Sequence, residues 1–540
     1  MNQKSPTLVE LFERSAAQYP AKLAFRVSRQ DGPGYDEISY GELKKKSDQL
    51  AASLRARGVK KGQKILIVSR PRSAWIISTL GISKAGGIVI PVDASWQPGE
   101  VQRVIQEAEA AGAIVDQNHI EHLKGVTTLK HVFCMDTGKE LPALEELLVG
   151  EGLQKYDVRS DDLAFFMCTS GTTGNAKIVM IAHENMSPNI IVSLDRLLIT
   201  EQDRAVTIAP WYHIFGLVTV FAMLYRGATM IYTDDFKNLE KYLRENEATI
   251  LAAVPKLYHA MFNKIENRIQ SKAITRLLYQ YAPKIVGWQM KKRLTNGKLR
   301  FFLSGSAPLD VSVEKAFRKM DIGCIEGYGM TECSPVLTFS THFNEKYGSV
   351  GPAISNVELR IDHPDADGVG EVVARGPNIM RGYYKNPEKT NEIIEPSGWL
   401  HTGDLGRLDE DGWLYLKGRK KNVIVLESGK NVYPEEVEAE LSHIPYIEDV
   451  MIKGGTRDGI EVIKAFVYPK QDALTGKSPE EIKHLIWEAI KAQGKNLAQY
   501  KRLLSISDLI ILDQPLVKTS KLDIKRYLYD EDGHSTVGTK

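Results

Sequence analysis

Short apolar runs alternate with amphipathic stretches along most of this 540-residue chain. The apolar runs Lys64–Val68, Gly87–Val92 and Ala113–Val115 have the length and composition of buried strands. Between and around them, Tyr40–Arg57 and Pro98–Ala111 repeat apolar residues at three- and four-residue spacing, as amphipathic helices do. Strands that alternate with helices in this way predict an α/β fold with parallel sheets covered by helices. The length predicts more than one domain.

The pattern changes near Gly351, where short strand-like segments are separated by Asp and Gly turns. These segments are Val357–Ile361, Gly370–Ala374 and Gly412–Leu416. They predict a small β-rich region over residues 350–420, and a compact α/β module follows it. We therefore place a boundary near Lys421, with an N-terminal domain of residues 1–420 and a small C-terminal α/β domain of residues 421–540.

Charge and cysteine content argue against several classes of protein. The chain has 70 basic and 68 acidic side chains, so its formal net charge is +2, which argues against a protein built as a whole to bind nucleic acid. The four cysteines form no C-x-x-C pair, so we expect reduced thiols and neither a disulfide framework nor a zinc site. Glu10 and Glu13 stand where a signal peptide needs an apolar core. These features predict a cytoplasmic protein.

One segment has the length and polarity of a membrane span. Ala205–Tyr225 contains no Asp, Glu, Lys or Arg and is long enough to cross a bilayer. Pro210, His213 and Gly216 interrupt it, however, and the residues before Tyr212 resemble the end of a strand. We therefore expect a buried strand, loop and helix here, and no transmembrane helix.

A loop rich in glycine and hydroxyl groups, Cys168–Lys177, directly follows the apolar run Leu163–Met167. Its glycines allow backbone N–H groups to converge on an anion, and its hydroxyls add donors or a metal ligand. The spacing differs from that of a P-loop, which disfavours a Walker-type NTPase. A polar loop without a ligand is the alternative. The candidate phosphate-binding residues are Thr169, Ser170, Gly171, Thr172, Thr173, Gly174 and Lys177.

Three further motifs fall on predicted loops. In Glu326–Glu332 (EGYGMTE), an aromatic residue between glycines suits stacking on a base, and the Thr-Glu pair suits contacts with phosphate and magnesium. A tight turn capped by that pair is the alternative. Gly398–Asp404 (GWLHTGD) places an aspartate on a turn, where it could bind ribose hydroxyls. Gly418–Asn422 (GRKKN) offers Arg419 as a planar donor to phosphate or ribose.

In their order along the chain, these four motifs resemble those of the adenylate-forming superfamily, which includes acyl-CoA synthetases, peptide-synthetase adenylation domains and luciferases. The resemblance extends from Thr7 to about Arg526. It includes the stretches ISYGEL (38–43), PWYHIFG (210–216), SGSAPL (304–309) and GSVG (348–351). Within the superfamily, the stretch GRKKNVIVLESGKNVYPEEVE (418–438) is most similar to bacterial long-chain fatty acyl-CoA ligases.

The resemblance implies ATP, Mg²⁺ and coenzyme A as ligands of a two-step reaction. A carboxylate attacks the α-phosphate of ATP to give acyl-AMP and pyrophosphate, and a thiol then displaces AMP. Besides the loop residues of 169–177, the ATP-binding residues implied are Gly305, Ser306, Ala307, Glu326, Gly327, Tyr328, Gly329, Thr331, Asp404 and Arg419. Thr331 would contact the α-phosphate, and Thr169 and Glu332 would bind Mg²⁺.

The resemblance also implies the adenylate-forming enzyme fold, in which a large domain of stacked α/β subdomains with a β-rich subdomain precedes a small mobile C-terminal domain. Lys421 matches the hinge about which that domain rotates. Gly429 would keep the pantetheine tunnel open. His213 matches the gate beside the substrate carboxylate, with Trp211 nearby; a core histidine satisfied by backbone groups is the alternative.

One position near the C-terminus departs from the family pattern. The family carries a lysine that stabilises the adenylation transition state, in a run resembling K-T-x-x-G-K-x-x-R. Here the run is KTSKLDIKR (518–526), and an ungapped match places Asp523 at the lysine position. An aspartate cannot donate to a phosphate. We therefore expect Lys521 or Lys525 to substitute; weakened adenylation is the alternative.

The segment from Lys264 to Arg300 is strongly basic, with Glu266 as its only acid. Basic residues recur at every fourth position, and apolar residues follow one position later. The basic residues are Lys264, Arg268, Lys272 and Arg276, and the apolar ones are Ile265, Ile269, Ala273 and Leu277. Such a surface can lie on anionic lipid. The alternative is a solvated helix whose apolar side packs on the core.

Together, the motifs and the resemblance predict an acid–thiol ligase that activates a medium- or long-chain fatty acid with ATP and Mg²⁺ and transfers it to coenzyme A. Two other functions stay open: an acyl-ACP synthetase or acyl-AMP ligase, and a catalytically impaired nucleotide- or acyl-binding protein. Ligases that stop at acyl-AMP commonly carry an extra segment after the hinge, and none lies between Lys421 and Pro434. We expect no nucleic-acid partner and leave the oligomeric state open.

Overall fold

The structure, a computed structural model, describes residues 4–29, 32–137, 140–169, 177–341, 346–427, 429–457, 459–471, 474–518 and 524–530. Its helices are α1 (Leu8–Gln18), α2 (Tyr40–Ala56), α3 (Ser73–Lys84), α4 (Pro98–Glu107), α5 (His183–Leu197), α6 (Ile214–Arg226), α7 (Leu239–Glu245), α8 (Pro255–Gln270), α9 (Ala273–Tyr281), α10 (Pro283–Thr295), α11 (Val311–Lys319), α12 (Pro387–Ile393), α13 (Pro434–Leu441) and α14 (Pro479–Gln493).

The strands are, in chain order, β1 (Leu23–Ser28), β2 (Tyr35–Ser39), β3 (Lys64–Val68), β4 (Ile88–Val92), β5 (Gly112–Val115), β6 (His131–Cys134), β7 (Leu163–Thr169), β8 (Lys177–Ala182), β9 (Arg204–Thr207), β10 (Thr229–Tyr232), β11 (Ile250–Ala253), β12 (Phe301–Ser304), β13 (Gly323–Gly329), β14 (Val336–Phe339), β15 (Gly351–Pro352), β16 (Glu358–Asp362), β17 (Gly370–Arg375), β18 (Leu400–Leu408), β19 (Trp413–Arg419), β20 (Ile424–Val425), β21 (Asn431–Val432), β22 (Ile447–Arg457), β23 (Ile460–Pro469) and β24 (Leu509–Ile511).

Local sequence explains where the first helices begin. α1 starts at a capping box in which the Thr7 hydroxyl accepts from the Glu10 backbone N–H and the Glu10 carboxylate accepts from the Thr7 N–H. Ser39 and Glu42 form the same arrangement at the start of α2. Each box satisfies two backbone donors that a helix terminus leaves without a partner.

Two mostly parallel sheets form the centre of the fold, as the alternating pattern predicts. The larger has the order β14-β13-β12-β11-β9-β10-β1-β2, with β13 through β1 parallel and an antiparallel strand at each edge. The other has the order β6-β5-β3-β4-β7-β8, in which only the hairpin β7–β8 is antiparallel. The inner strands of these sheets are mostly apolar and buried, as strands covered on both faces must be, whereas the edge strand β2 is polar and only partly buried. The predicted α/β class is confirmed.

The chain divides into two compact units. The first comprises Met1–Leu359, Ala374–Leu400 and Asp411–Trp413, and the second comprises Arg360–Val373, His401–Glu410 and Leu414–Lys540. In the second unit, β18 pairs antiparallel with β19, and α13 and α14 cover the sheet β22-β23-β24 around an apolar core of its own. The predicted domain boundary near Lys421 stays a prediction.

The uncharged segment 205–225 forms the expected strand, loop and helix. β9 ends at Thr207 and α6 begins at Ile214, and most of the residues of α6 are buried against the sheets. No helix in the described part of the chain combines the length and the apolarity that a bilayer crossing requires.

The basic segment Lys264–Arg300 does not form one helix along its four-residue repeat. It comprises the end of α8, which stops at Gln270, followed by α9 from Ala273 and α10 from Pro283. In α8, Ile269 is buried and Ile265 packs against the same core of the larger sheet. This is the arrangement expected of a surface helix whose apolar side faces the core. Leu277, however, is exposed. The continuous apolar face inferred from the spacing is therefore wrong beyond Gln270.

Candidate active site

The predicted motifs of the larger sheet follow the carboxyl ends of its parallel strands. Residues 208–213 follow β9, residues 305–307 follow β12, and residues 330–332 follow β13. Because β9, β11, β12 and β13 run parallel as neighbours, these three loops lie at the same edge of the sheet. That edge is where open α/β sheets bind ligands.

The hairpin β7–β8 carries the first motif. Thr169 ends β7, Lys177 begins β8, and the two residues face each other across the ladder. The Thr169 hydroxyl donates to the Lys177 carbonyl at 3.3 Å. Ser170, Gly171, Thr172, Thr173 and Gly174 lie outside the described residues, so their predicted role stays a prediction.

A short connecting segment, residues 377–384, joins this hairpin to the Glu332 turn. On one side its backbone pairs with β8: Arg381 N–H donates to Met180 O at 2.9 Å, and Met180 N–H donates to Gly382 O at 3.0 Å. On the other side, Met380 N–H donates to Glu332 O at 2.9 Å. β8 belongs to one sheet and Glu332 follows a strand of the other. The connecting segment therefore holds loops of both sheets in one place.

Tyr383 of this segment contacts both predicted charges. Its hydroxyl donates to Glu332 Oε1 at 2.8 Å, and Lys177 Nζ lies 4.8 Å from the centre of its ring. Tyr383 and Glu332 are both buried, and burial together with the Glu332 charge raises the pKa of the Tyr383 hydroxyl. Tyr383 is thus a hydrogen-bond donor at neutral pH, and it fixes one oxygen of the Glu332 carboxylate.

Three asparagine side chains support the same region. Asn185 Nδ2 donates to the carbonyls of Pro377 and Ile379 at 2.8 and 2.9 Å. Asn378 Nδ2 donates to Cys333 O at 2.9 Å, and Asn189 Nδ2 donates to Val336 O at 2.8 Å. These amides satisfy backbone carbonyls of the connecting segment, of the turn after Glu332 and of the start of β14. They therefore hold the connecting segment and the turn after Glu332 in place.

The oxygen donors present fit a magnesium ion. Glu332 offers a buried carboxylate and Thr169 a hydroxyl, and Mg²⁺ prefers oxygen ligands, with one or two carboxylates completed by substrate phosphates and water. Among the described residues, no cluster of three or more His, Cys, Asp or Glu side chains could hold a metal. A metal here would therefore depend on the phosphates of a bound nucleotide.

Glu326 supports the loop that follows β12. Its Oε1 accepts from the Leu309 backbone N–H at 3.1 Å, and its own N–H donates to Ser340 Oγ at 2.8 Å. Burial raises the pKa of the Glu326 carboxyl to about 8, although the hydrogen bond from Leu309 opposes the shift. In this structure Glu326 thus orders the loop 305–309.

Glycine is required at one position of the Glu326–Glu332 motif. A Cβ on Gly329 would lie 1.7 Å from Pro335 O, so a side chain there would displace the backbone after Glu332. Gly327 is also crowded, by the side chain of Phe339. Tyr328 between them is largely buried, as is Thr331 at the start of the turn.

The loop 305–307 lies against the start of α6. A Cβ on Gly305 would stand 3.3 Å from the Phe215 ring. Ser306 has a φ of +74°, a conformation that side chains other than glycine rarely adopt, and it is exposed, as predicted binding loops often are. Ala307 follows it and is half-buried.

His213 stands directly before α6, and its ring is half-buried. Its Nε2 lies 3.9 Å from Asp93 Oδ2, and its ring centre lies 4.8 Å from that of Tyr212. Asp93 is buried at the end of β4 and comes from the other sheet. Trp211, by contrast, is fully buried among Phe25, Trp75 and Tyr232. Those contacts are those of a core residue, and its role in acyl binding stays a prediction.

Asp404 and Arg419 meet in the second unit. They are register partners in β18 and β19, and Arg419 Nε donates to Asp404 Oδ1 at 2.9 Å. The buried Glu371 positions the turn before Asp404, because its carboxylate accepts from Gly403 N–H at 3.1 Å and from Lys420 Nζ at 2.7 Å. Although burial opposes it, the Lys420 hydrogen bond and charge help hold the pKa of Glu371 below its usual value.

The hinge and tunnel candidates lie on exposed turns of the same unit. Lys421 is exposed in a single 3-10 turn after β19. Gly429 has a φ of +74°, and its N–H donates to Leu426 O at 2.7 Å in the turn that joins β20 and β21. The positive φ in this turn is sufficient to explain a glycine at position 429. The predicted functional roles of Lys421 and Gly429 stay predictions.

The C-terminal lysine candidates differ in their surroundings. Lys518 forms an ion pair with Asp449, and Arg526 donates to Glu438 at 2.5 Å and to Ile452 O at 2.9 Å. No ion pair with Lys525 is found in the part of the chain that the structure describes. Lys521 and Asp523 lie outside the described residues.

Replacing Glu326 by Gln should remove a pH dependence of stability. The unfolded carboxyl ionises near its ordinary pKa of 4.5, whereas the folded one keeps its proton up to about pH 8. The folded state binds more protons in that window, so wild-type stability falls as the pH rises through it, by at most about 1.4 kcal/mol per pH unit. Urea unfolding of both proteins across the window should show this loss only in the wild type. Parallel stability profiles would contradict the assignment.

Two family models and several curated relatives match this chain. A model of the AMP-binding enzyme family matches residues 12–384, and a model of the AMP-binding enzyme C-terminal domain matches residues 421–532. Among curated relatives, the long-chain-fatty-acid–CoA ligase of Salmonella typhimurium (strain LT2) is 29% identical over 519 residues, which cover 87% of each chain. Fatty acyl-CoA synthetase B of Dictyostelium discoideum is 26% identical over 604 residues, covering 97% of this chain and 89% of that one.

A solved structure extends the comparison to the fold. The crystal structure of ATP-bound MatB from Rhodopseudomonas palustris aligns with a TM-score of 0.77 and 26% identity, covering 96% of this chain and 97% of that one. The predicted resemblance is thus confirmed in sequence and in fold. Because the first family model covers more than half of the residues, the chain belongs to the AMP-binding enzyme family.

Proposed function

We propose that this enzyme activates a medium- or long-chain fatty acid with ATP to form acyl-AMP, and then transfers the acyl group to coenzyme A. The observation that carries the proposal is that Lys177 and Glu332 both contact Tyr383. A cation and a carboxylate so close together support a shared role in binding a nucleotide and its metal. The fatty acid as substrate rests on the Salmonella and Dictyostelium relatives, whose names specify long-chain-fatty-acid and fatty acyl substrates.

The first step joins an anion to a polyanion. A carboxylate oxygen forms a bond to the α-phosphorus while the bond between that phosphorus and the bridging oxygen of pyrophosphate breaks. Neutralising charge and aligning the reactants are therefore the main catalytic tasks. Lys177 would bind the β- and γ-phosphates together with the loop 170–174, and Thr331 would donate to the α-phosphate.

Mg²⁺ would bind at Glu332 and Thr169. Bound there, the ion would neutralise phosphate charge and hold the leaving pyrophosphate. Tyr383 would act as a positioning residue, because its hydrogen bond to one Glu332 oxygen would hold the carboxylate in a fixed orientation for the metal.

The acid and the nucleoside would contact other loops. His213, next to the buried Asp93 and to the loop 305–307 through Phe215, would lie beside the substrate carboxylate. Asp404 would bind the ribose hydroxyls, and Arg419, already paired with Asp404, would add a donor to ribose or phosphate. Tyr328 would pack against the base.

Coenzyme A is the proposed acceptor, because no extra segment separates Lys421 from Pro434. A carrier-protein thiol and a catalytically impaired binding protein are the competing functions. The full-length enzyme with ATP and Mg²⁺ should release pyrophosphate with acids from about decanoate to oleate, far faster than with acetate. Added coenzyme A should then yield acyl-CoA.

The outcomes separate the three functions. Pyrophosphate without acyl-CoA would favour the carrier-protein or acyl-AMP ligase alternatives. No pyrophosphate release with any acid from acetate to oleate would reject catalysis altogether and leave a binding protein.

Replacing Tyr383 by Phe should raise the Mg²⁺ concentration needed for half-maximal adenylation by about 10- to 100-fold, because second-shell donors orient metal ligands. Pyrophosphate release at varied Mg²⁺ measures this. Tyr384→Phe is the matched control, because the Tyr384 hydroxyl contacts the exposed Glu109 instead. Equal Mg²⁺ requirements in the two variants would show that Tyr383 does not position Glu332.

Replacing Lys525 by Ala should slow adenylation far more than thioester formation from supplied acyl-AMP, because the lysine would stabilise charge that develops on the α-phosphate only in the first step. The two half-reactions are measured separately, and Lys525→Arg should retain part of the rate. The same pair of assays on Lys521→Ala decides between the two lysines. Equal slowing of both steps would reject Lys525 as the substitute.

A further inference from the structure

Helices α9 and α10 expose large apolar side chains on their outer faces. Ile274, Leu277 and Tyr281 of α9 and Ile285 and Trp288 of α10 are between 46% and 76% exposed. Within each helix they are spaced three or four residues apart, so they form one stripe per helix. We call these five residues the outer stripe.

The outer stripe is not needed for the packing of the two helices. Other apolar residues of the two helices pack against the core of the larger sheet instead: Leu278 and Tyr279 of α9, and Val286 and Met290 of α10. Each helix is therefore apolar on two sides, whereas a surface helix normally has one apolar side. Five large exposed apolar side chains on two consecutive helices differ from the single scattered apolar residues of an ordinary surface, and they indicate an interaction surface.

The surroundings of the outer stripe are positively charged. Lys291 and Arg293 are paired with Asp321 and Glu240. Others have no carboxylate partner among the described residues: Lys264, Lys272, Arg276, Lys284 and Lys292. Lys292 Nζ lies 5.1 Å from the centre of the Trp288 ring, so a positive charge adjoins the exposed indole directly.

We propose that the outer stripe and its lysines dock the enzyme on the surface of an anionic lipid bilayer. Tyr and Trp favour the interface between lipid and water, aliphatic side chains favour the acyl region below it, and Lys and Arg bind anionic headgroups. A second copy of this chain fits less well, because a symmetric contact would bring two positive surfaces together. The proposal goes beyond the proposed activity, and its test requires neither ATP nor acid.

The test measures binding of the full-length protein to vesicles. The protein should sediment with vesicles of equal parts phosphatidylglycerol and phosphatidylcholine, and should stay in solution with phosphatidylcholine alone. Added salt should weaken the binding, because it screens the lysine charges. Equal binding to both kinds of vesicle, or binding to neither, would overturn the proposal.

Single substitutions locate the surface. Trp288→Glu and Tyr281→Glu should each weaken vesicle binding by about tenfold or more. Val149→Glu and Leu504→Glu are the matched controls, since these side chains are 61% and 65% exposed, compared with 59% for Trp288. Binding that falls equally in all four variants, or in none, would reject the outer stripe as the docking surface.

Fluorescence gives a second readout that does not depend on a glutamate variant folding. The Trp288 emission, taken as the difference between wild type and Trp288→Phe, should shift to shorter wavelength on the mixed vesicles, and an unchanged emission would contradict docking. Two other results would assign the surface to a protein partner and overturn the lipid proposal. In both, the protein does not bind vesicles; it binds an acidic carrier protein, or it associates with itself, and Trp288→Glu abolishes that interaction.

Discussion

The site depends on the connecting segment, residues 377–384, because it is hydrogen-bonded to loops of two different sheets. Its backbone extends the β7–β8 hairpin through Met180 and reaches the Glu332 turn through Met380. Two side chains of the segment add hydrogen bonds to the turn: the Tyr383 hydroxyl donates to the Glu332 carboxylate, and the Asn378 amide donates to Cys333 O. A backbone held in this way can place a cation and a carboxylate with little reorganisation when a polyphosphate binds, which is the condition for electrostatic catalysis.

Much of the fold follows from local pattern. Periodicity and apolar runs predict the strands and helices around Lys64–Val68 and Tyr40–Ala56, because burial on one or two faces leaves a direct trace in the sequence. The glycine and hydroxyl loop of residues 168–177 predicts a phosphate site for a similar reason, because convergence of backbone N–H groups requires particular residue types. That site stays a prediction, since residues 170–176 lie outside the described part of the chain. The four-residue repeat after Lys264 does not predict burial correctly beyond Gln270. The helix α8 ends there and a new helix begins at Ala273, so Leu277 is exposed although the repeat aligns it with the buried Ile269.

The supporting residues could not be predicted in the same way. Tyr383, Asn189 and Glu371 stand in no motif, and their roles arise from contacts with residues far along the chain. Asp93 is similar: it directly follows the buried strand β4, and only the placement of α6 brings His213 close to it. Long-range contacts of single polar residues leave no period in the sequence. A burial pattern that contains a lone polar residue is the one signal that could have indicated them.

The central claim is that a carboxylate oxygen of the acid becomes bonded to the α-phosphorus of ATP. Oxygen transfer tests it most directly. With a fatty acid carrying ¹⁸O in both carboxylate positions, turnover in the presence of coenzyme A should leave one labelled oxygen in AMP and the other in the thioester carbonyl. Unlabelled AMP, or ADP and labelled phosphate as products, would contradict attack at the α-phosphorus.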